Sequence, residues 1–148
     1  MASHSIPNRV ELRIIDVDEN YSLLTISVAD GQFAGATEIY GADAAAHELA
    51  RALEAFPRSP TDVREVTLGS RDERIAGGWV QFTCRCVDRA GHAVIEVELC
   101  DKYAAFGLRP RTAHVHLRVE APAIDSFVLD LRSWRIAIGS TVTLSGIT

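Results

Sequence analysis

Cysteine is scarce in this sequence: three residues in 148, all between positions 84 and 100. So odd and sparse a set does not build the disulfide framework of a small secreted domain, and free thiols in a reducing, cytoplasmic compartment are expected. Long apolar runs are missing as well. None approaches the roughly 18 residues of a membrane-crossing helix, and the opening stretch MASHSIPNRVE has no apolar centre of the signal-peptide kind. Positive charge is in deficit, with 15 Lys and Arg against 20 Asp and Glu and a net charge of -5. That balance argues against a nucleic-acid groove, which needs a basic field, and favours a protein partner with a basic surface. Signature loops are absent too. The chain has no G-x-S-x-G, no G-x-G-x-x-G and no phosphate loop. Asp16, Asp18 and Glu19 lack the alternating twelve-position spacing of a calcium loop. No cofactor, nucleic acid or membrane is therefore expected.

What is present is a globular composition, 47% apolar and 24% charged, long enough to bury a core without staples. A single α+β domain over residues 9–148 is expected behind a loose polar stretch, 1–8. Residues 10–15 alternate, with Val10, Leu12 and Ile14 on one face. Residues 21–28 do the same through Leu24, Ile26 and Val28, and 33–40 read as a weaker third strand. The period then changes to a helix through Ala46, Leu49, Ala50, Leu53 and Phe56, with Asp43 placed to cap it and Pro57 to end it. A connector over 57–78 includes a short edge strand at 63–68, and Gly77-Gly78 reads as a turn. Strands follow at 79–87, 92–100 and 113–120. A second helix is then preferred, carrying Ile124, Phe127, Val128, Leu131 and Trp134, over a strand reading in which Phe127, Leu129 and Leu131 alternate, and the residues after Arg135 read as either a last strand near 140–144 or a tail. Each of those five apolar positions lies 78 residues after its counterpart in the first helix. The expected architecture is one antiparallel sheet of six or more strands with both helices on one face, built from βββα halves at 9–56 and 79–135.

The stretch FTCRCVDRAGHAVIEVELC, residues 82–100, holds every cysteine. Pairing Arg85 with Glu96 across a tight Ala90-Gly91 turn sets Phe82, Cys84 and Cys86 opposite Leu99, Val97 and Ile95, a wholly apolar face, and puts Cys100 on the other. Buried thiols are the expectation there, because a zinc site needs four ligands and favours C-x(2-4)-C spacing over C-x-C. No metal is expected.

Two places stand out as candidate partner-binding surface. The loop DKYAAFGLRPR, residues 101–111, offers Tyr103, Phe106, Arg109 and Arg111, residue types that anchor interfaces. The outward face of two neighbouring strands offers Glu96, Glu98, His114 and His116. Two imidazoles beside a carboxylate form a known catalytic metal set, which makes a small metal-dependent enzyme the alternative. A solvated face of a one-sided sheet explains the same pattern without chemistry.

The stretches YSLLTISV, HELARALEAF and HVHLRVEAPAIDSFVLDLRSW, taken as a run of elements, resemble bacterial immunity proteins of the WapI type. The resemblance implies a non-enzymatic protein that neutralises a toxin domain by occluding it. It carries over no catalytic residue. A self-associating module, using an open sheet edge to pair with a second copy, is the third reading.

Overall fold

The computed structural model describes residues 6–102 and 110–147. Among them run β1 (Asn8–Val17), β2 (Ser22–Asp30), β3 (Ala34–Tyr40), α1 (Ala42–Leu53), β4 (Val63–Gly69), β5 (Trp79–Cys86), β6 (His92–Asp101), β7 (Arg111–Glu120), α2 (Ala121–Arg132) and β8 (Thr141–Ser145). The fold is α+β and every described strand pairing is antiparallel.

The eight strands form two sheets, where one was expected. The first has the order β3-β2-β1-β8 and the second β4-β5-β6-β7. Dimensions explain the split. A single sheet of eight strands would be about 38 Å wide at the usual strand spacing. Two helices side by side cover only about 20 Å of that. The inner faces therefore cover one another in part: β3 packs across β5, β6 and β7, and β2 also meets β7. The helices pack on each other and fill the remaining opening, with α1 against β4 and β2 and α2 against β8 and β7. One hydrophobic cluster runs through all of these elements, from Val10, Leu24 and Ile39 to Ile95, Val97 and Phe127.

The expected halves are interleaved. The chain leaves the first sheet through α1 and enters the second as β4. It leaves the second through α2 and returns to the first as β8. The offset of 78 residues that relates the helices also carries Val63, the first residue of β4, onto Thr141, the first of β8. Ala46, Leu49, Ala50, Leu53 and Phe56 are buried, as are Ile124, Phe127, Val128 and Leu131, and Trp134 packs against the same core.

Two glycines allow the sheets their closest approach. A Cβ on Gly35 of β3 would stand 2.8 Å from the Cβ of Ala113 on β7. A Cβ on Gly78 would stand 2.2 Å from the Cys100 carbonyl oxygen and 2.3 Å from Thr37 Oγ1. The space is used by hydrogen bonds: Gly78 N–H donates to the Glu38 carbonyl at 2.8 Å, and Thr37 Oγ1 donates to the Cys100 carbonyl at 3.1 Å. The Gly77-Gly78 pair is thus where the second sheet leans on the first.

Two local expectations need correction. Asp43 does not cap α1. The N-cap is Gly41, and the Ala42 N–H, which has no partner within the helix, is satisfied by Ser22 Oγ at 2.8 Å, a partner twenty residues back on β2. The β5–β6 hairpin is shifted by two residues: Cys84 opposes Ile95, Phe82 opposes Val97 and Arg85 opposes Val94. Its connection is a longer loop organised by Asp88. The Asp88 carboxylate accepts from the backbone N–H of Ala90 and His92 and contacts His92 Nδ1 at 2.5 Å. A shift of two keeps every side chain on its expected face, and Arg85 still reaches Glu96 at 3.7 Å along the diagonal.

Candidate functional site

The outer face of the second sheet carries the expected His/Glu set. β6 and β7 are neighbours, and their register places Glu98 opposite His114 and Glu96 opposite His116. Further along the same rows lie Gln81 and Thr67 beside Glu98, and Thr83 and Glu65 beside Glu96. Gln81 Nε2 donates to Glu65, and Arg71 donates to Gln81. The result is a polar lattice. Among the described residues no group of three or more His, Cys, Asp or Glu side chains comes together to hold a metal ion.

Of the loop candidates, Tyr103, Phe106 and Arg109 lie outside the described residues. Arg111 is described, and its guanidinium donates to Asp101 Oδ2 at 2.6 Å, closing the base of the loop. Both residues lie on the rim of a cleft of about 770 Å³ that crosses from the β3 side of the first sheet to the connector before β5. That volume falls within the roughly 300–1,000 Å³ of typical ligand sites.

The β2–β3 hairpin and the connector line this cleft together with Asp101, Lys102 and Arg111. β3 contributes Ala36, Glu38 and Tyr40, which share the outward parity opposite to the buried Ile39. β2 adds Leu23, whose partner across the ladder is Tyr40. The connector adds Glu73, Ile75 and Ala76. Tyr40 is 45% exposed and Ile75 53%, so the cleft has a large apolar lip open to solvent. Tyr40 is steadied by Tyr21, whose ring meets it edge to face at 5.7 Å. Tyr21 is in turn fixed by its hydroxyl, which donates to Asp16 Oδ2 at 2.6 Å. That hydrogen bond and the carboxylate's negative charge push the Tyr21 phenol up to about 12, so it remains a neutral donor at ordinary pH.

The bases of the cleft are already engaged. Lys102 Nζ donates to the carbonyls of Ser70, Asp72 and Ile75 at 2.6, 2.7 and 2.9 Å, which uses all three of its protons and ties down the connector. Arg74 is held by Asp72 at 2.9 Å, and the Arg74 guanidinium keeps the Asp72 carboxyl below its ordinary range. Arg111 is held by Asp101. Glu38 and Glu73 make no ion pair or side-chain hydrogen bond among the described residues. The described lining contains no histidine, cysteine or serine; its hydroxyls are those of Thr25, Thr37 and Tyr40, and Thr37 already donates to the Cys100 carbonyl.

Two of the three cysteines, Cys84 and Cys100, hold un-ionised thiols. Cys84 is buried, Cys86 half-buried against the core, and Cys100 buried on the opposite face beside Trp79 and Thr112 in register. Burial pushes the Cys84 thiol up to about 12 and raises the Cys100 thiol as well, so neither is a thiolate near neutral pH. No segment of the described chain is a helix long and apolar enough to cross a membrane. Set against protein-family models, curated proteins and solved structures, the sequence and its fold find no match.

Proposed function

We propose that this chain is a binding protein that acts by covering a protein partner, in the manner of the immunity proteins its element pattern resembles, and that the cleft beside β3 is where the partner seats. One observation carries the reading: the cleft joins an exposed apolar lip, Tyr40 and Ile75, to two carboxylates, Glu38 and Glu73, that have no counter-ion among the described residues. Exposed aromatic and aliphatic anchors supply contact energy, and uncompensated charge steers a basic partner and speeds its arrival.

The test is co-expression with a toxin domain encoded in a neighbouring reading frame. The expected outcome is growth rescue together with a stoichiometric complex that survives gel filtration and is lost in Glu38→Lys with Glu73→Lys. Protection by far less than one equivalent would indicate turnover and overturn the reading. So would a rescue that ignores the two charge reversals.

A further inference from the structure

Resting on that reading, we propose that the cleft receives an arginine side chain projecting from the partner's basic surface. Every cation on the described lining is committed, Lys102 to three carbonyls, Arg74 to Asp72 and Arg111 to Asp101, while the Glu38 and Glu73 carboxylates have no partner among the described residues. An incoming cation therefore displaces no internal pair. The floor suits the rest of the side chain. Leu23, Ala36 and Ala76 are apolar surface against which a three-carbon stem can lie. The open ring of Tyr40, backed by Tyr21, is a face for the cation itself.

Arginine is favoured over lysine because its planar fork can pair with a carboxylate while lying flat on a ring. The fold already uses this arrangement internally. Arg64 lies over the Phe56 ring at 5.6 Å while donating to both Asp62 carboxylate oxygens, and Arg71 lies over Trp79 at 3.6 Å. On the outer face of the second sheet the charged groups stand instead in cross-strand positions, Glu98 opposite His114 and Glu96 opposite His116.

The experiment is a titration of isotope-labelled protein with the capped peptide Gly-Arg-Gly and with its citrulline isostere, which keeps the shape and removes the charge. Amide shifts at Glu38, Tyr40 and Ala76 are the readout. The arginine peptide should shift them with an affinity about tenfold or more above that of the citrulline peptide, a gap that closes as salt rises. Glu38→Gln with Glu73→Gln should abolish the response, and an unchanged melting curve certifies that the variant is folded. Equal shifts from the two peptides, or shifts confined to another surface, would overturn the assignment. If the toxin complex forms and withstands Glu38→Gln, Glu73→Gln and Tyr40→Ala together, the arginine site is wrong although occlusion stands. If no complex forms with the unaltered protein, the binding reading itself falls.

Discussion

Single residues in this fold are placed by partners far away in sequence, and one residue bears a conformational cost. Ala55, one position past the C-cap of α1, has φ 54°, in the left-handed region. Glycine usually holds this place because a Cβ there crowds the carbonyl. Ala55→Gly should therefore raise stability by about 0.5–1 kcal/mol, the strain relieved exceeding the added freedom of the unfolded chain. The check is a higher urea midpoint at unchanged slope. Residue-scale facts of this kind divide by range. Alternation gave away the inward faces of Val10, Leu12 and Ile14, because side-chain parity is a local property of a strand. The helix start did not follow from Asp43, because the donor at Ala42 is satisfied by Ser22, which no local pattern links to it. Glu38, Tyr40 and Glu73 escaped for the same reason. Only the packing of β3 across the second sheet brings them to one cleft.

Elements are joined by a few polar clasps, and the clearest connects α1 to β4. Arg64 donates to the terminal helix carbonyls of Ala52 and Glu54 at 3.1 and 2.9 Å, pairs with Asp62 at 2.8 Å and stacks on Phe56. It satisfies acceptors that a helix end leaves open and places a cation at the negative end of the dipole. Arg64→Met should cost about 2 kcal/mol, since it strands hydrogen-bonded acceptors and the Asp62 carboxylate in a half-buried site. The clasp also sets an acid dependence. Hydrogen bonding to Arg64 holds the Asp62 carboxyl below its ordinary 3.8. A folded value below the unfolded one means the contribution is complete above the unfolded value and is lost as pH falls through the folded one. Urea midpoints measured between about pH 6 and pH 3 should fall less steeply in Asp62→Asn than in the parent, and identical slopes would rule the clasp out as a titrating element. Periodicity and breakers gave every element up to α2, including the short edge strand in the connector, while β8 read as either a strand or a tail. The β5–β6 register was not legible, because the Asp88 loop lengthens a turn that Ala90-Gly91 appeared to complete.

At the scale of the whole molecule the governing contact is sheet on sheet. Gly35 and Ala113 meet there with no room for another carbon. Gly35→Ala should destabilise by about 1–3 kcal/mol as an overpacked core does, and adding Ala113→Gly should return most of that loss. Additive losses in the double variant would show that the two sheets do not touch at this point. That two sheets exist at all was not readable from alternation, which reports which face of a strand is buried and stays silent on what buries it. The width of eight strands against the reach of two short helices was the available clue.

The interleaving of the sheets has a consequence for the path of the backbone. Asn8 Nδ2 donates to the Ile147 carbonyl at 2.7 Å, and the Gly146 N–H donates to the Asn8 carbonyl at 2.9 Å, so the two ends of the described chain lie side by side. Taken as a cycle, the described elements run through ββββα twice. Opened instead between α1 and β4, and sealed between β8 and β1, the polypeptide would read as two successive ββββα units, each completing its own sheet without borrowing a strand.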